Sequence, residues 1–63
     1  MAIVTLSSVN YSGQTAEIIY NPQSGGTYNL GTHVIPYVFE LSYYYGTYHL
    51  NFDNNTCDVI VLR

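Results

Sequence analysis

No stretch between turn signals in this chain is long enough for a useful helix. The signals NYSGQ (10–14), NPQSGG (21–26), NLGT (29–32) and DNNT (53–56) recur at short intervals, and each is built from residues that tolerate or start turns. The runs between them are rich in Val, Ile, Thr, Tyr and Phe, which suit a pleated, half-buried surface. That spacing predicts an all-β fold, a small antiparallel β-sandwich of about six short strands. The strands are expected at about 2–9, 15–21, 27–30, 33–40, 46–52 and 57–62 within one domain spanning 1–63. No segment carries a helical period.

Alternation assigns the faces. Tyr48, Leu50 and Phe52 should point one way and Thr47, His49 and Asn51 the other, the pattern of a sheet with one buried side. Ala16, Ile18 and Tyr20 alternate with Thr15, Glu17 and Ile19 in the same way. CDVIVL (57–62) is apolar on both faces, so it is expected either at the centre of the fold or covered from outside. Pro36 falls inside the expected 33–40 strand, where it cannot donate a ladder hydrogen bond, which implies an edge strand or a bulge. Lys commonly guards such edges, and this chain has none.

A chain of 63 residues buries only about 60% of the surface its unfolded form exposes, so its core alone gives marginal stability. Cys57 is the only cysteine, which excludes a disulfide within the chain, and His33 and His49 are the only other soft metal ligands. Association with a partner is the remaining source of burial. Charged residues make up 8% of the chain, against roughly 25% in an ordinary soluble protein. Arg63 is the sole basic side chain, so a nucleic-acid backbone has nothing to bind. The net charge of −3 comes from Glu17, Glu40, Asp53 and Asp58, too dispersed to focus a field. The N-terminal MAIVTLSSV lacks a basic flank and is too short for a signal h-region or a membrane span, so no export, anchoring or membrane role is expected.

Chemistry-bearing residues are few. Cys57, His33 and His49 form no close pair of the C-x-x-C or H-x-x-x-H kind, so neither a nucleophile nor a metal site is expected. Cys57 reads as a small apolar filler, and His49 as a solvent or interface residue. Asp53, Asn54, Asn55 and Asp58 cluster oxygen ligands of the type calcium favours, but the glycine and closing glutamate of an EF-hand loop are missing. A hairpin turn accounts for the same residues without an ion. The triplets Asn10-Tyr11-Ser12 and Asn54-Asn55-Thr56 match the glycosylation pattern, yet they too read as turn residues. No cofactor is expected.

The segment YYGTYHL (44–50) resembles the tyrosine corner of immunoglobulin-like β-sandwiches. The resemblance implies that Gly46 is the corner glycine, that Tyr48 is the corner tyrosine with its hydroxyl turned back to the backbone, and that Leu50 stands where antibody domains place the second cysteine. Tyr44 occupies a position where that family often has Asp, and the family's disulfide and tryptophan are missing. The wider pattern, from GQTAEIIYNPQSGGTYNLGTHVIPY to the lone cysteine, also resembles small β-rich accessory proteins of tailed-phage virions. That implies a structural role in a capsid, neck, tail or fibre, with larger structural proteins as partners.

Tyr43, Tyr44 and Tyr45 cannot all face inward from an extended segment. At least one should look outward, and with His49 the three form the candidate interface. Aromatic anchors at a protein interface explain them as well as sugar stacking does. The carboxylates and amides that usually flank a sugar-stacking ring do not accompany this segment. The sequence therefore points to a non-enzymatic structural subunit of a larger assembly, with a carbohydrate-binding adhesion module as the alternative.

Overall fold

The computed structural model describes residues 1–63. Six strands carry the chain: β1 (Ala2–Leu6), β2 (Thr15–Pro22), β3 (Tyr28–Val34), β4 (Tyr37–Leu41), β5 (Gly46–Asn51) and β6 (Thr56–Val61). All pairings are antiparallel, with β1 and β4 forming a two-stranded sheet and β3-β2-β5-β6 a four-stranded one. The protein is all-β, its only helical piece a 3-10 turn at Val9–Tyr11. No helix is long and apolar enough to cross a membrane.

Period-two patterning builds the core. Ala16, Ile18 and Tyr20 on β2 are buried, as are Tyr48 and Leu50 on β5 and Phe52 just beyond it. The register sets Ile18 opposite Leu50 and Tyr20 opposite Tyr48, so the two apolar rows lie side by side on one face. Val4 and Leu6 of β1 and Ile35 complete a single cluster. Only 10 of the 63 residues are buried, which keeps the apolar contribution to stability small.

Several strand limits differ from the sequence expectation. The first strand stops at Leu6, and the chain then turns so that Tyr11 stacks on Phe52 with ring centroids 4.4 Å apart. The expected strands at 27–30 and 33–40 are divided elsewhere. NLGT is no turn but a bulge: β3 runs through it, the register slips opposite Ile18 and Ile19, and Gly31 takes φ +89° while its N–H donates to Asn29 Oδ1 at 2.8 Å. The chain instead breaks at a cis Ile35-Pro36 bond. Pro36 therefore precedes β4 instead of interrupting it, and β4 is an edge strand because β1 is its only neighbour.

The apolar CDVIVL run is not central. It forms β6, the outermost strand of the larger sheet, and leaves Ile60 62% and Leu62 73% exposed. At the opposite margin β4 packs over β3, where His33 stacks on Tyr37 with centroids 3.7 Å apart. Two strands thus lie over four, and inner-face residues of both β3 and β6 remain half-buried.

Candidate functional site

The tyrosine run ends at a position only glycine can occupy. Gly46 is buried with φ +140°, and a Cβ there would lie 2.2 Å from the carbonyl oxygen of Asn21 and 2.8 Å from Pro22 Cα. The close approach starts β5 directly against the end of β2. Tyr48 then enters the core fully buried, with its ring stacked on Tyr20 at 4.4 Å and 9°.

Two hydroxyls from this stack hold the loop above it. Tyr48 donates to the carbonyl of Tyr44 at 2.6 Å, and Tyr20 donates to the carbonyls of Tyr45 at 2.8 Å and Tyr43 at 3.1 Å. Every carbonyl of the tyrosine triplet is therefore bound by a phenol beneath it. Burial pushes both phenols above the ordinary tyrosine range, Tyr48 strongly, because the anion would lose its water. Leu50, two residues on, is buried in the same row.

The three side chains of the triplet share one arrangement, each half-buried. Tyr44 packs against the core and stacks on Tyr45 at 4.4 Å, donating its hydroxyl to that of Tyr45 at 3.3 Å. That donation raises the Tyr44 hydroxyl above the usual range. Tyr43 meets Tyr45 edge-on at 5.6 Å, and the Arg63 guanidinium sits 5.8 Å above the Tyr45 ring. The one Lys or Arg side chain in the sequence is thus placed over the aromatic cluster.

His49 lies elsewhere, on the outer face of the larger sheet. Its Nδ1 is 2.8 Å from Asp58 Oδ1 and its Nε2 2.7 Å from Asn21 Nδ2, while Thr27 donates to Asn21 Oδ1 at 3.0 Å. The polarity follows from the contact with Asp58. The Asp58 carboxylate can only accept, so Nδ1 carries the proton, and in the neutral ring Nε2 accepts from the Asn21 NH2, which leaves the amide oxygen for the Thr27 hydroxyl. Both ring nitrogens are engaged within the chain. The sequence contained a signal for part of this relay: closing the DNNT hairpin at Asn51 and Thr56 brings residue 49 opposite residue 58.

Cys57 is half-buried on β6. No three His, Cys, Asp or Glu side chains come together. Within the Asp53–Asp58 turn the Asn55 side chain accepts from Thr56 N and donates to the Tyr11 hydroxyl, and Phe52 N donates to the Asn55 carbonyl. These bonds close a hairpin. His33 Nε2 reaches the Leu30 carbonyl at 2.7 Å, which fixes its ring against Tyr37.

A cavity of about 260 Å³ opens beside the triplet. Tyr20, Tyr28, Tyr43, Leu30 and Leu41 wall it, and the hydroxyls of Ser24 and Ser42 stand at its rim. No charged or amide side chain lines it. Its walls come from β2, β3, the end of β4 and the loop after it, so no local sequence pattern announces it.

The chain has no match. Compared with protein-family models, curated proteins and solved structures, it is significantly similar to none. The fold and the side chains themselves are what a functional reading can use.

Proposed function

We propose that this protein is a non-enzymatic structural subunit, an immunoglobulin-like β-sandwich that attaches to the surface or seams of a larger protein assembly. The observation that carries this reading is the apolar periphery. Ile3 is 72%, Val9 98% and Val38 58% exposed, and Ile60 and Leu62 extend the same character to the far margin. With one basic residue in the whole chain, this surface is suited to being covered through apolar and hydrogen-bonded contact.

The immunoglobulin-like assignment has two supports. A sheet ordered β6-β5-β2-β3 facing a β1-β4 pair corresponds to strands G-F-C-C′ facing B-E, without the A and D strands. The phenol-to-carbonyl bond of Tyr48 stands at the start of β5, which takes the F position. The sequence texture fits an accessory protein of a tailed-phage virion, bound in many copies to larger structural proteins. A carbohydrate-binding module is the second reading, favoured by the partly exposed rings of Tyr43, Tyr44 and Tyr45.

Light scattering and thermal unfolding of the purified chain, with a glycan array alongside, test the reading. A marginally stable or self-associating chain that retains no glycan is expected. A robust dilute monomer that binds a glycan at micromolar affinity would overturn it.

A further inference from the structure

The two margins of the two-stranded sheet are open, and one adjoins the cavity. β4 pairs with β1 only and β3 with β2 only, so each strand has one unpaired edge. Both strands line the cavity, with Tyr28 and Leu30 from β3 and Leu41 from β4 in its walls. The chain has no Lys to discourage an added strand.

We propose that this cleft receives an extended, uncharged segment of the partner protein, which adds a strand to the free edge of β4 and seats one apolar side chain in the cavity. The site rests on the assembly-subunit reading above and specifies its mode of attachment. Strand addition supplies backbone hydrogen bonds, and a pocket for an alternate side chain supplies selectivity.

Size and chemistry choose the occupant. At about 260 Å³ the cavity lies below the roughly 300–1,000 Å³ of small-molecule sites, which leaves room for one side chain. Its walls hold no carboxylate, amide or cation, so neither a charged group nor the hydroxyl array of a sugar finds its usual partners. The rim hydroxyls of Ser24 and Ser42 make no hydrogen bond inside the chain and can serve an incoming backbone. A second copy is a poorer fit. Two chains of net charge −3 repel, and β4 paired antiparallel with itself would bring two Glu40 carboxylates onto one outer face.

The test is an NMR titration of the full chain with a capped peptide of about seven residues, alternating Thr and Val around a central Phe. A control peptide carries Ala in place of Phe. Expected are binding tighter than about 1 mM, slowed amide exchange at Tyr37–Leu41, shifts at Tyr28 and Tyr43, and at least about tenfold weaker binding of the control. Ser42→Phe, which fills the cavity from its rim, should weaken binding by a similar factor while the Tyr48 ring signals stay in place. The proposal fails if the two peptides bind equally, if protection appears at Thr56–Val61 instead, or if the peptides do not bind. It also fails if Tyr37–Leu41 become protected with rising protein concentration alone, the mark of a second copy, or if a free hexose produces the Tyr28 and Tyr43 shifts and the peptide does not. A chain that joins a larger assembly yet ignores the peptide would remove this site and leave the subunit reading intact.

Discussion

The Tyr48 hydroxyl closes on the Tyr44 carbonyl across 2.6 Å, and Tyr48 itself has no exposed surface. Tyr48→Phe strands that carbonyl without altering the ring stack, so it should cost about 1 to 2 kcal/mol. Tyr44→Phe loses only a long bond between two half-buried phenols and should cost less than about 0.5 kcal/mol. Urea unfolding of both variants measures the difference, and equal losses would refute the role assigned to Tyr48.

Gly46→Ala should be far more damaging than Gly13→Ala, although both glycines have positive φ. A methyl group at Gly13 meets nothing within 4 Å, so only backbone strain of about 1 to 2 kcal/mol is at stake. At Gly46 the same group collides with the backbone of Asn21 and Pro22, which cannot give way without separating β2 from β5. A loss of about 3 kcal/mol or more is expected, enough to unfold a domain this small. Thermal melts of the two variants would decide, and a well-folded Gly46→Ala chain would contradict the close approach.

Alkaline pH should unfold the protein. Tyr48 and Tyr20 titrate higher in the folded chain than the ordinary value of 10.0, so above that pH the unfolded chain binds fewer protons than the native one. Their contribution is complete below about pH 10 and is lost as pH rises through the folded values. Tyrosinate absorbance should then appear together with the loss of β-sheet circular dichroism. Complete ionisation of all eight tyrosines in a still-folded chain would be incompatible with buried phenols.

The neutral imidazole of His49 should be found as the Nδ1–H tautomer. Asp58 can only accept, so Nδ1 holds the proton, and the Asn21 amide turns its NH2 to Nε2 and its oxygen to the Thr27 hydroxyl. Nitrogen chemical shifts of the imidazole report this directly. In Asp58→Ala the acceptor is removed and the Asn21 amide can turn over, so the shifts should move toward a tautomer mixture; an Nε2–H form in the native chain would reverse the polarity of the relay.

The parts of the fold that were legible in the sequence are those where one strand face is buried and the other wet. On β2 and β5 the alternation around Ile18, Tyr20, Tyr48 and Leu50 identified the inner face residue by residue. β3 was misdivided because Asn-Leu-Gly satisfies a bulge and a turn with the same local chemistry, a side-chain acceptor and a positive φ. Only pairing with β2 distinguishes them. The place of β6 was left open between the centre and a margin covered from outside for a different reason: apolar residues on both faces carry no period, and neighbour order depends on the whole sheet. Of the candidate interface, the triplet does sit together beside the cavity, whereas His49 belongs to the outer-face relay with Asn21 and Asp58. The cavity joins residues from distant parts of the chain, and no window of sequence contains it.

The three carbonyls bound beneath Tyr43, Tyr44 and Tyr45 have a consequence for any binding at that loop. A surface loop ordinarily gives up backbone freedom when it is captured, and the lost entropy weakens the complex. Here that freedom is already restricted in the unbound chain, because releasing the Tyr44 carbonyl would leave the Tyr48 phenol without its acceptor, and freeing both Tyr43 and Tyr45 would do the same to Tyr20. The aromatic surface is therefore preorganised, and contact made on it is converted to affinity with little ordering cost.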